Sequence, residues 1–130
     1  MSQIQCVVVT PEQTELDVQA SSVTVPMFDG ELGILKGHSP LVGRLGYGVL
    51  RVSATEGQQT YFIEGGFVQV ASDVVSVLTD RLVPMSEVTS ASASEAMKNA
   101  LDMPTDQPDL AVARDKAIER ARAMTRLATN

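Results

Sequence analysis

Residues 14–27 read TELDVQASSVTVPM. Leu16, Val18 and Ala20 alternate with Glu15, Asp17 and Gln19, and Val23, Val25 and Met27 follow the same rule after Ser21 and Ser22. A period of two sends successive side chains to opposite faces of an extended chain, so these runs are strands with one apolar face. The pattern continues outward in VLRVS (49–53), TYFIE (60–64), FVQVA (67–71) and VVSVLT (74–79). The segments TPEQ, ASS, DGELG, GHSP, GYG, ATEGQ, EGG and ASD punctuate the runs with turn formers. Short valine-rich strands at this spacing predict an all-β sandwich or barrel. Pro26 lies inside the third run and has no N–H to give a ladder, which predicts an edge position or a bulge. Gly65 and Gly66 read equally well as a close approach of another backbone or as a plain turn between two strands.

The period changes after Pro84. Ser92-Ala93-Ser94-Glu95 reads as a capping box opening a helix through EAMKNALDM (95–103). Pro104 and Pro108 then interrupt the chain. Asp109 is placed to cap a second helix, LAVARDKAIERARAMTRLATN (110–130), with Ala113, Ala117, Ala121, Met124 and Ala128 along one face. The expected division is a β-sandwich domain over 1–84 and an antiparallel helical hairpin over 85–130. An alanine stripe buries little area, at ~0.8 kcal/mol per methylene, so the hairpin is expected to be weakly held and able to move.

A chain of 130 residues that is 44% hydrophobic suits one ordinary domain with an appendage, and it is rich enough in apolar residues to fold. A net charge of −6 with 4% aromatics argues against a nucleic-acid partner. The start, MSQIQCVVVT, has neither a basic head nor a small-residue cleavage site, so no signal peptide is expected. No apolar run approaches the ~18 residues that would span a bilayer. Cys6, the one cysteine, sits in the apolar run CVVV and reads as a small buried side chain in a reducing compartment. Charge is polarised: residues 110–130 carry five basic and two acidic residues, a net +3, while residues 1–109 carry five basic and fourteen acidic, a net −9.

Catalytic equipment is missing. GHS (37–39) fails as a nucleophile elbow because Leu41 stands where a glycine is required, and the only histidine, His38, is adjacent to Ser39. One histidine and one cysteine do not make a zinc site. Neither GxGxxG nor a GxxxxGK[ST] phosphate loop is present. No cofactor, metal or catalytic residue is therefore expected, and the glycine-dense stretch GELGILKGHSPL (30–41) reads as a contact loop.

That stretch carries a family resemblance. DGELGILKGHSPL (29–41) closely resembles the signature of the epsilon subunit of bacterial and plastid F-type ATP synthases (delta in mitochondria), a GE-hydrophobic-G followed by GHxPL. VVTPEQTELDVQASSVTVPMFDGELGI (8–34) is similar to the family's first strands, and FIEGGFVQVASDVVSVLTD (62–80) to its penultimate hairpin. The resemblance implies a β-sandwich of about ten strands followed by two antiparallel helices. It also implies a non-catalytic rotor subunit that couples ion flow through the membrane ring to rotation and ATP synthesis. The implied partners are the gamma subunit, the c-subunit ring and, through the helices, the catalytic beta subunit and alpha. The implied location is peripheral, on the cytoplasmic face of the bacterial inner membrane. A free-standing β-sandwich interaction module with a basic docking helix is the alternative.

The resemblance also places candidate site residues. Gly30, Glu31, Leu32, Gly33, Gly37 and His38 fall in the segment that faces the ring and gamma. Glycines 30, 33 and 37 are expected to allow tight turns and positive φ. Glu31, between glycine and leucine with no evident local partner, is expected to make a contact; His38 either lies near gamma and the ring or satisfies a local carbonyl. Arg114, Arg120, Arg122 and Arg126 lie on the helix that in the family reaches an acidic segment of beta and inhibits hydrolysis, the alternative being a solvated basic face. Some family members bind ATP through an I/L-D-x-x-R-A motif opening the first helix. The matching stretch here is VTSASA (88–93), with neither acid nor arginine, so no nucleotide binding is expected.

Overall fold

The computed structural model describes residues 3–128. The chain divides into two compact units, one running through Val83 and the other beginning at Pro84. The first holds β1 (Ile4–Val9), β2 (Thr14–Ala20), β3 (Ser22–Met27), β4 (Gly30–Leu35), β5 (Leu41–Ala54), β6 (Gly57–Ala71) and β7 (Val74–Leu78), and β8 (Leu82–Pro84) ends at the boundary. The order across the sheet is β2-β1-β7-β6-β5-β3-β4, with β8 paired to β6. All ladders given by register are antiparallel except β1 with β7.

One apolar cluster draws residues from all of β1 to β7, from Ile4 and Cys6 through Val25, Ile34 and Leu50 to Val75 and Val77, so the sheet folds over on itself and encloses a single core. The strand phase shows how. On β5 the core-facing residues are Leu41 and Leu45, then Leu50 and Val52; on β6 they are Tyr61 and Ile63, then Val68 and Val70. Inward positions change from odd to even on both strands at one level, where Leu45 pairs with Gly66 and Tyr47 with Glu64. A period-two strand that changes phase crosses from one layer to the other. The described residues thus hold eight strands rather than about ten, because β5 (14 residues) and β6 (15 residues) each run the length of two.

Gly65 and Gly66 sit inside β6, at φ +67° and +105°, and do not form a turn between strands. The close-approach reading is the one observed. A Cβ at Gly66 would run into the Leu78 carbonyl oxygen and lie 3.0 Å from the Thr79 Cα. Pro26 is likewise a bulge and not an edge: β3 lies between β4 and β5, and its register on β5 slips between Thr24 and Met27.

Cys6 is fully buried, and burial, helped by the negative charge of Asp17, pushes its thiol from 9.0 up to about 12. The unfolded thiol ionises at a lower pH than the folded one. Its stabilising effect is therefore complete below pH 9 and is lost as pH rises from about 9 to about 12, at ~1.4 kcal/mol per unit. Denaturant titrations of Cys6→Ala, set against the unaltered chain, are expected to show a shallower loss of stability across that window. Equal slopes would contradict this.

In the second unit a 3-10 turn (Met85–Glu87) leads to α1 (Ser90–Leu101) and α2 (Pro108–Leu127). The cap of α1 lies three residues before the expected one. Thr89 is the N-cap, its Oγ1 accepting from the Ser92 N–H at 3.1 Å, while Ser92 Oγ accepts from the Thr89 N–H at 2.9 Å. Gln107, not Asp109, is the N-cap of α2. Pro108 takes the first helical position, where no N–H is needed, and Asp109 complements the helix dipole from within the first turn. Ala121, Ala123 and Met124 are buried on α2, and Ala93 and Ala100 on α1. Ala113 is exposed, contrary to the expected stripe, because the inward face runs through Leu110, Arg114, Ala117 and Ala121. The last residues of the expected second helix, 129–130, lie outside the described residues.

Candidate functional site

The glycine-dense stretch is mostly strand. Gly30–Leu35 forms β4, paired with β3 so that Glu31 lies opposite Pro26 and Leu32 opposite Val25. Alternation sends Leu32 and Ile34 inward, and Leu32 packs against the core, so its side chain is not free for a partner. Glu31, Gly33 and Leu35 face outward and are exposed. Two turns flank β4: Phe28 and Asp29 before it, Lys36 and Gly37 after it. Gly30 (φ +146°) and Gly37 (φ +86°) adopt the positive φ that favours glycine, whereas Gly33 does not.

Glu31 has a partner that the sequence did not reveal. Arg51 Nη1 lies 2.8 Å from Glu31 Oε2, reaching from β5 across β3 to β4. Both side chains remain well exposed, at 40% for Arg51 and 58% for Glu31, so the pair contributes only ~0.2–1 kcal/mol and leaves carboxylate surface for another chain. A double-mutant cycle of Glu31→Gln with Arg51→Ala, read from urea denaturation, is expected to give a coupling within that range that fades in 1 M salt. A salt-independent coupling above ~2 kcal/mol would contradict an exposed pair.

His38 follows a turn closed by its own N–H on the Leu35 carbonyl at 3.1 Å. Gly37 holds the third turn position at the φ that a type II turn needs. The His38 Nδ1 lies 2.7 Å from the Ser39 carbonyl oxygen. A carbonyl only accepts, so Nδ1 carries the hydrogen in this bond. This local hydrogen bond orients the ring. The Gly37 N–H donates to Asp73 Oδ1 at 2.7 Å, linking this turn to the one between β6 and β7. Asp73, like Arg51, escaped the sequence reading.

Beside this end of the sheet lies an apolar row. Phe67 pairs with Leu78 on β7 and Arg44 on β5, and Val42 stands two residues from Arg44 on the same face. Val42, Phe67 and Leu78 are 73%, 58% and 50% exposed. This feature was legible in principle: once Val68 and Val70 point inward, Phe67 and Gln69 must point outward. Large apolar side chains clustered on one open sheet face mark an interaction surface.

On α2, Arg122 and Arg126 are exposed, while Arg114 and Arg120 are half-buried, so the four do not form one continuous cationic face. The stretch 88–93 supplies the Thr89–Ser92 cap and the first turn of α1. No helix among the described residues is long and apolar enough to cross a membrane.

Residues 3–85 match the family model described as ATP synthase, Delta/Epsilon chain, beta-sandwich domain. An ATP synthase epsilon chain of Rhodopirellula baltica is 51% identical over 123 residues, covering 95% of this chain and 96% of the relative. A chain in the Euglena gracilis mitochondrial ATP synthase structure (OSCP/F1/c-ring) is similar at a TM-score of 0.77 and 25% identity, over 95% of this chain and 80% of that one. A chain in the Tetrahymena thermophila mitochondrial ATP synthase central stalk/c-ring shares the fold at a TM-score of 0.71 and 18% identity, over 96% of each.

Proposed function

The chain belongs to the ATP synthase delta/epsilon family, and from that premise we propose how its surfaces engage the rest of the machine. It is a non-catalytic central-stalk subunit of ATP synthase, a membrane-associated complex. In our reading the β unit docks on gamma through the row Val42, Phe67 and Leu78, and presents Glu31 and the Lys36–His38 turn to the c-ring. The exposed cations Arg122 and Arg126 meet an acidic segment of the catalytic beta subunit. The assembly then places the chain at the cytoplasmic face of the bacterial inner membrane.

The observation that supports gamma docking is the exposed apolar row on an otherwise acidic unit. Leaving three such side chains in water is costly, at about 25 cal/mol per Å² of apolar surface, and a permanent partner removes that cost. Removing an aromatic hot spot from the centre of an interface typically costs ~2 kcal/mol or more. Phe67→Glu is therefore expected to weaken association of the full-length chain with gamma by at least about thirtyfold. Because Phe67 is exposed, the variant should keep the circular dichroism of the parent. Undiminished binding by Phe67→Glu would exclude this face as the gamma contact.

A further inference from the structure

We propose that Asp73 is a positioning residue for the Lys36–His38 turn, holding it as a fixed ridge at the end of the sheet. The inference rests on the reading above in which that turn faces the c-ring. Asp73 is tied on two sides. Its main-chain carbonyl accepts from the Gln5 N–H at 3.0 Å, at the start of β1, and its side chain accepts from the Gly37 N–H at 2.7 Å. Its backbone is fixed as well: Ser72 and Asp73 form the two-residue connection between β6 and β7 at φ +50° and +62°. Positive φ at both positions is the type I′ geometry that a tight hairpin selects. The carboxylate thus projects from a rigid corner.

The turn it holds has little else to fix it. Its other hydrogen bonds are local, from His38 N–H to the Leu35 carbonyl and from His38 Nδ1 to the Ser39 carbonyl. Lys36 and Gly37 are exposed, and a glycine is the most flexible residue at a turn. One charge-assisted bond from 36 residues away ties this turn to the sandwich. His38 closes that turn and Glu31 lies on β4, the strand that leads into it, so their placement toward a partner depends on it.

Two substitutions separate the carboxylate from the backbone. Asp73→Gly keeps the positive φ and removes the acceptor; Asp73→Asn keeps both, since asparagine tolerates this region and retains Oδ1. In the full-length chain, the Gly37 amide of Asp73→Gly is expected to exchange about five- to tenfold faster, while amides of β6 and β7 stay unchanged. Asp73→Asn should return Gly37 to within about twofold of the parent. In the assembled, membrane-reconstituted complex, Asp73→Gly should lower ion-gradient-driven ATP synthesis per complex by about twofold, with Asp73→Asn restoring it. Unchanged Gly37 exchange in Asp73→Gly overturns the positioning role whatever the turn faces. Faster exchange with undiminished synthesis overturns it by the other route, since the turn would be held but would not meet the ring. Loss of protection throughout β6 and β7 in both variants would make Asp73 a fold residue alone and also overturn the proposal.

Discussion

Gly66→Ala is expected to destabilise the β unit by about 3–5 kcal/mol, a large part of the ~5–15 kcal/mol that holds a domain of this kind together. Two costs coincide there. The φ of +105° disfavours any side chain. The added methyl would also meet backbone rather than a flexible side chain: the Leu78 carbonyl oxygen, its carbon at 2.8 Å and the Thr79 Cα at 3.0 Å. That backbone cannot retreat without breaking the Phe67–Leu78 pairing and the bond from the Thr79 N–H to the Val9 carbonyl. Gly57 provides the control, because at φ +133° it is also left-handed but has open space where a Cβ would stand. Gly57→Ala should cost only the conformational part, about 1–2 kcal/mol. Urea denaturation followed by circular dichroism measures both, and equal losses would contradict the close approach at Gly66.

The second large effect concerns hydrolysis. Removing residues 105–130, which eliminates α2, is expected to raise ATP hydrolysis by the assembled complex about fivefold while leaving synthesis largely intact, consistent with a coupling near ~1 kcal/mol. Arg122 and Arg126 are exposed and free to serve an acidic partner, whereas Arg114 and Arg120 are half-buried on the helix. Charge reversal at Arg122 and Arg126 together should reproduce most of the gain, since each exposed pair contributes ~0.2–1 kcal/mol. The effect should shrink as salt rises, because the screening length is ~8 Å at physiological ionic strength and shorter above it. Steady-state hydrolysis at low and high salt checks this. No change at low salt in either variant would make the hairpin a passive appendage. Arg126 also complements the helix dipole in the last turn of α2, so the charge-reversed chain should be compared with Arg126→Gln.

The sandwich was legible because its signal is local. Leu16, Val18 and Ala20, or Val68 and Val70, declare an inward face within five residues, and no knowledge of the partner strand is needed. What stayed hidden depends on residues far apart in the chain. The change of phase on β5 and β6 is visible only once the two strands are laid side by side, and so eight strands do the work expected of more. Gly65 and Gly66 could not be assigned from sequence because the atom that demands a glycine belongs to Leu78. Arg51 reaches Glu31 across an intervening strand, a pairing that follows from two ladder registers and not from any motif. At α1 the difficulty was degeneracy: Thr89 with Ser92 and Ser92 with Glu95 both have capping spacing, and the structure selects the first. The family resemblance in 29–41 identified the segment, and its glycine density suggested a loop, whereas β4 divides its residues between the core and the surface.

As a central-stalk subunit, this chain is expected to turn with the stalk. A fluorescent or bead-sized probe fixed to an exposed position of the β unit, such as an engineered cysteine at Thr55, reports this directly in single complexes immobilised through their catalytic sector, with Cys6 buried and unreactive. On addition of ATP the probe is expected to rotate continuously in one direction, in step with hydrolysis. A probe that stays fixed relative to the catalytic sector while the complex hydrolyses ATP, with the chain present in every complex, would contradict the claim.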